Sequence, residues 1–211
     1  MDPELVTWLL ELQAKEAIRD RLTRYLRGID RNDPELLQDT FWPDALVDHG
    51  HSRFRGDSIG KIFPSTSKHA THRQVHYLMN LLIEIHGDEA ISEAQALYCA
   101  ETERNEVAYL ISRSVRYIDR WDKRDGQWRV FHRTVAESWN KLEPIVERFP
   151  NPEGMIYAQP DRSDISYQLF ELARKGERPP LRIPDEEENE KNFHHARERL
   201  DSAGFGFKTP R

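Results

Sequence analysis

The stretch Val75-His-Tyr-Leu-Met-Asn80-Leu-Leu-Ile-Glu-Ile85, closed by His86-Gly87-Asp88, decides the fold, because there the apolar period of the chain changes to two. Three runs of the same texture follow, at Ala90–Glu101, Val107–Trp121 and Trp128–Trp139. They are parted by Glu103-Arg104-Asn105 and Lys123-Arg124-Asp125-Gly126, polar turns carrying the Asn, Asp and Gly that a tight hairpin needs. Upstream the period is helical. Leu5, Trp8, Leu9, Leu12, Ile18, Leu22, Tyr25 and Leu26 predict a helix over Leu5–Arg27, with Gly28 as its stop. Asp33 as N-cap and Pro34 at the first position predict a second helix, Pro34–Phe41. Pro43-Asp44 then breaks the chain, Ala45–His49 alternates like a strand, and Gly56 precedes a helical piece at Ser58–Phe63. Helices first and antiparallel hairpins after predict an α+β fold, not alternating βαβ units.

Beyond Trp139 the texture changes again, with eight of the twelve prolines in the last third of the chain. Ser163 or Asp164 can cap a helix over Ile165–Lys175, and the acidic run Asp185–Glu190 precedes a polar helical piece around Phe193–Leu200. The apolar residues are too few for a separate core. The expected organisation is one domain over residues 1–140 and an extension over 141–211, partly flexible, packed on that domain or on a neighbouring subunit.

Composition narrows the function. Of 211 residues, 37% are hydrophobic and 32% charged, yet five Trp, seven Tyr and nine Phe suffice to fill a core. The net charge of −6 argues against a nucleic-acid surface. No apolar run is long enough to span a membrane, and Asp2 and Glu4 stand where a signal peptide carries Lys or Arg. The single Cys99 suits a reducing cytoplasm. A Gly-x-Gly-x-x-Gly loop, a Walker loop, His-Glu-x-x-His and Gly-x-Ser-x-Gly are all missing, so no nucleotide or metal cofactor is expected.

Asp30 and nine histidines are left as candidate chemistry. On spacing alone, Asp30 reads as an exposed turn carboxylate beside Arg31, where the helix dipole disfavours it. Strand alternation puts His76, Leu78, Asn80, Leu82 and Glu84 on one face, a pattern that suits the wall of a polar-tipped pocket but by itself more often marks a satisfied structural histidine. His49, His51, His69 and His72 raise the question of zinc, but the segment Ser65–Arg73 has no carboxylate at a ligand spacing. Among Phe41, Trp42, Tyr77, Tyr117 and Trp121, core packing is the ordinary role, with pocket walls the alternative.

Several motifs in order carry a resemblance. Ala17-Ile-Arg-Asp-Arg-Leu-Thr-Arg-Tyr25-Leu-Arg-Gly-Ile-Asp30 resembles the opening helix of SnoaL-like proteins in the nuclear transport factor 2-like superfamily. Phe41-Trp-Pro-Asp44-Ala-Leu-Val-Asp-His-Gly50, His76-Tyr-Leu-Met-Asn80, Tyr117-Ile-Asp119 and Arg124-Asp-Gly126-Gln-Trp128-Arg-Val-Phe-His-Arg133 extend it over residues 10–140. The resemblance implies a cone-shaped, cystatin-like antiparallel sheet wrapped on the N-terminal helices. It is nearest the branch of γ-hexachlorocyclohexane dehydrochlorinase, scytalone dehydratase, bile-acid 7α-dehydratase and the lyases of lignin-derived diarylpropanes. That branch implies a cofactor-free Asp30–His76 dyad, with Tyr25 near the leaving group and Arg133 steadying it. Asn80, His49, Trp42, Tyr77 and Tyr117 would contact the substrate. A neutral imidazole titrates near the working pH and suits proton transfer, and a carboxylate on its other nitrogen fixes the tautomer. The expected protein is therefore a cytoplasmic lyase acting on a hydrophobic, hydroxylated small molecule, as a homotrimer or homodimer. An isomerase, a polyketide cyclase or a non-catalytic binding module of the same fold is the alternative.

Overall fold

A computed structural model describes residues 2–66, 74–148, 155–179 and 185–204. The first element, α1 (Pro3–Asp30), opens on Asp2, whose carboxylate accepts the Glu4 N–H, with Pro3 in the first turn. Gly28 lies inside this helix instead of ending it. A Cβ at Gly28 would stand 3.1 Å from the Leu36 Cβ and 3.2 Å from the Leu37 side chain, so the glycine lets the next helix approach closely. The chain reverses at Asn32, whose φ of 46° is left-handed, and Asp33 caps α2 (Pro34–Thr40) through the N–H groups of Glu35 and Leu36.

β1 (Phe41–Asp48) runs straight through Pro43, with an irregular register between Phe41 and Leu46. Pro43 falls between Phe41 and Leu46, where no pairing partner is needed for its missing N–H, and does not end the strand. β2 (Arg53–Arg55), a single 3₁₀ turn and α3 (Ile59–Thr66) follow. The four long strands are β3 (Gln74–His86), β4 (Glu89–Arg104), β5 (Val107–Arg124) and β6 (Gln127–Pro144). They are joined by two-residue turns, with positive φ at Gly87, at Asn105 and Glu106, and at Asp125 and Gly126. These φ values are those of primed turns, whose twist matches the strands. The six strands form one curved sheet in the order β2-β1-β6-β5-β4-β3, antiparallel except where β1 lies parallel to β6.

One face of the sheet packs on α1. Ala90, Ala94 and Ala96 of β4 are buried and small, and they share one core cluster with Ile18, Leu22 and Tyr25 of the helix. Ile18 and Leu22 keep no exposed surface, and each contributes about 1.5–3 kcal/mol by burial. Bulges decide which side chains share this face. In β3, Leu78 pairs with Ala96 but Leu81 with Ala94, so Met79 and Asn80 together oppose one residue. In β6, His132 pairs with Arg120 but Val130 with Trp121, which leaves Phe131 extra. Each extra residue shifts the alternation by one. Hence Trp128 and Val130 point inward before Phe131, and Arg133 after it.

Contacts divide the chain into two units, Met1–Pro144 with Gln159–Ser163, and Ile145–Ala158 with Asp164–Arg211. In the second unit, Asp164 caps α4 (Ile165–Arg174) by accepting the Ser166 N–H. Asp185 caps α5 (Glu186–Ser202), so the acidic run forms the first turn of that helix, where the dipole favours it, instead of preceding it. Neither helix holds a buried residue. Among the described residues, no helix is long and apolar enough to cross a membrane.

Candidate active site

Asp30 is the last residue of α1, placed where the helix dipole opposes its charge. Two donors of β3 compensate. The His76 backbone N–H reaches Asp30 Oδ2 at 3.0 Å, and His76 Nδ1 lies 2.7 Å from Oδ1. An ionised carboxylate there puts the proton on Nδ1 and leaves Nε2 as the basic nitrogen. Gln74, two residues earlier, donates to the Ile29 carbonyl at 2.9 Å, a second tie between this strand and the helix end beside the pair. Asp30 is thus buried and bonded, not an exposed turn residue.

His76 lines a cavity of about 430 Å³ together with Tyr25, His49, His51, Tyr98, Arg113 and Tyr117. Ile29, Phe54, Ile62, Val115 and Val135 supply apolar wall. Burial raises the pKa of Tyr25, against the opposing charge of Arg133, so its phenol stays protonated. Tyr117 is pushed up as well, first by burial and then by Tyr25. His49 follows β1 in a turn where its N–H donates to the Ser52 carbonyl at 2.9 Å. Burial, then the positive charges of Arg133, His51 and Arg113, lower its pKa to about 4, so it is neutral at neutral pH.

Arg133 is inward and fully buried but does not line the cavity. Its Nε and Nη2 grip Asp119 Oδ1 and Oδ2, each at 2.6 Å. The guanidinium carbon stands 4.3 Å from the Tyr25 ring centre, 4.4 Å from Tyr117 and 5.0 Å from Phe41. Nη1 has no hydrogen-bond acceptor among the described residues, and these aromatic faces surround the charge instead. Burial alone would lower the Arg133 pKa; Asp119 outweighs it and holds the group charged.

The other anticipated contacts separate. Tyr117 and His49 line the cavity, as does His51. Asn80 is exposed, because it sits in the β3 bulge, where strict alternation from His76 fails. Tyr77 is 52% exposed on the opposite face. Trp42 is away from the cavity, its Nε1 donating to the Asp122 carbonyl at 3.1 Å and its ring flanked by Arg124 and Arg129. His69 and His72 lie outside the described residues. Among the described residues no group of three or more His, Cys, Asp or Glu is arranged to hold a metal. Tyr98, Arg113 and Gln74 were not anticipated. Their signal lies in the strand pairing, since His76 is opposite Tyr98 and Tyr98 opposite Arg113.

Comparison with known proteins gives a consistent outcome. The model of the SnoaL-like domain matches residues 10–134. A hexachlorocyclohexane dehydrochlorinase, LinA-type3 from Novosphingobium barchaimii, is 21% identical with a TM-score of 0.58, over 68% of this chain and 98% of that one. A candidate scytalone dehydratase from Novosphingobium aromaticivorans is 21% identical with a TM-score of 0.54, over 70% and 97%. A protein of the same organism described as NTF2-like with a cystatin-like fold is 18% identical with a TM-score of 0.55, over 65% and 90%. At these identities the likeness carries the fold. Among curated protein sequences none matches.

Proposed function

We propose that this chain, which belongs to the SnoaL-like domain family, is a cofactor-independent lyase. It eliminates water, with or without formaldehyde, from a bulky hydroxylated aromatic or alicyclic molecule. The observation that carries this reading is the Asp30 carboxylate holding both the ring and the backbone of His76 at the wall of a largely apolar cavity. The cavity volume is that of a small-molecule site. Two similar structures, described as a dehydrochlorinase and a candidate dehydratase, are named for eliminations.

In dehydration Nε2 of His76 takes a proton from carbon while the carbon–oxygen bond breaks and the electron pair of the C–H bond becomes the new π bond; where formaldehyde also leaves, Nε2 takes the proton of a hydroxymethyl group instead, and the breaking C–C bond supplies that electron pair. Asp30 orients the imidazole and stabilises the imidazolium that forms. Tyr25, kept protonated by burial, supplies a proton or hydrogen bond to the departing hydroxide, which leaves as water. The imidazolium then passes its proton, through solvent, to the Tyr25 oxygen, so that both side chains regain their starting protonation. Arg133 acts from behind the rings of Tyr25 and Tyr117, favouring negative charge on their oxygens without touching the substrate.

The test is mass-spectrometric screening of a panel of aromatic diols for loss of water or formaldehyde, followed by kinetics of His76→Ala. Turnover should fall on the order of a hundredfold or more, the scale of general acid–base catalysis. Near-wild-type turnover in a folded His76→Ala protein would refute the lyase mechanism.

A further inference from the structure

We propose that Arg113 makes this cavity selective for substrates bearing a carboxylate about one aromatic ring away from the reacting carbon. The inference rests on the lyase reading and adds the substrate class. Three cavity residues form one row across three adjacent strands: His76 on β3 pairs with Tyr98 on β4, and Tyr98 with Arg113 on β5. Two strand spacings separate the backbones of His76 and Arg113, about 10 Å. The Tyr98 ring lies between, its centre 4.7 Å from that of the His76 imidazole and tilted by 34°. A flat substrate ring laid on Tyr98 thus has one end at the basic nitrogen and the other at the guanidinium.

Charge singles out the same residue. Arg113 is the one permanently charged cation among the described lining residues. Arg133 is consumed by Asp119 behind the tyrosines, and His49 is neutral. Glu137 engages Arg113 on one edge only, through Nε at 3.0 Å and through Nη2. Nη1 makes no hydrogen bond among the described residues. Glu137 therefore aims the side chain and leaves donors for an incoming anion. As a half-exposed pair it contributes little that a carboxylate must overcome. Guanidinium geometry matches a carboxylate better than any neutral group of equal shape.

Calorimetric binding of two probes of equal shape, cinnamate and cinnamamide, tests this without turnover. The wild-type protein should bind cinnamate about tenfold or more tightly than cinnamamide, the scale of one charge-assisted hydrogen bond. The ratio should fall with added salt. Arg113→Gln should bring it near one while leaving cinnamamide binding unchanged. His76→Ala should leave the ratio within about twofold of wild type, so a failed lyase mechanism and a failed carboxylate preference give separate results. A wild-type protein that does not favour cinnamate, including one that binds neither probe, overturns the proposal. So does a preference that survives Arg113→Gln.

Discussion

Two acid–base pairs lie at the inner face of this sheet, one of them joining it to the end of α1, and they differ in almost everything but distance. Asp30 and His76 meet at 2.7 Å, and Asp119 and Arg133 at 2.6 Å. The first pair keeps 10% and 8% of its side-chain surface exposed, and its histidine borders the cavity; the second has none exposed and is caged by aromatic rings. Imidazole can gain and lose a proton near neutrality, whereas guanidinium cannot. Contact distance therefore says nothing about which pair does chemistry. Access to the cavity and the kind of cation separate them, and the pair with two short bonds is the one sealed from the cavity.

The contrast can be broken by substitution. Asp119→Ala should show the largest effect on folding, because it strands a fully buried cation. A loss of about 3–5 kcal/mol in urea denaturation is expected. A loss below about 1 kcal/mol would mean that the aromatic cage alone suffices. Asp30→Asn should reverse the profile. Stability should change by about 1 kcal/mol or less, since the amide still fills the space, while turnover falls on the order of a hundredfold because the imidazole tautomer is no longer fixed. Similar behaviour of the two variants would erase the distinction.

The smallest expected effect concerns His49, which borders the cavity but carries no charge. Its folded pKa of about 4 lies below the ordinary value of 6.5, so between these values the unfolded chain binds the extra proton. Stability from this group is present above the unfolded pKa and is lost as pH falls toward 4. His49→Phe should therefore reduce the loss of stability between pH 7 and pH 4.5. The reduction should be roughly 1–2 kcal/mol, less than full linkage predicts because the ring is partly exposed. Identical acid limbs in the two proteins would assign that loss to other groups.

Much of this architecture is legible in the chain because it rests on short-range rules. Period two, turn residues of the right handedness and an Asp-Pro helix start give four strands, three hairpins and α2 directly. What escapes is set by pairing between distant segments. Asn80 reads as a neighbour of His76 by alternation, and only the match of Leu78 and Leu81 to Ala96 and Ala94 reveals the bulge that separates them. Tyr98 and Arg113 are ordinary strand residues until register brings them beside His76. Arg133 stands out by resemblance, yet its burial behind two tyrosines depends on the single extra residue at Phe131. Asp30 looks badly placed because its compensating donors arrive from a strand forty-six residues later.

Gly28 gives the carboxylate a mechanical dependence. Two residues before Asp30, the missing side chain lets α1 rest directly on Leu36 and Leu37. A single methyl group at that point would act as a shim under the end of a lever. The far end of that lever is the oxygen aimed at His76. The position of the Asp30 carboxylate thus depends on the thickness of a contact that the imidazole never meets.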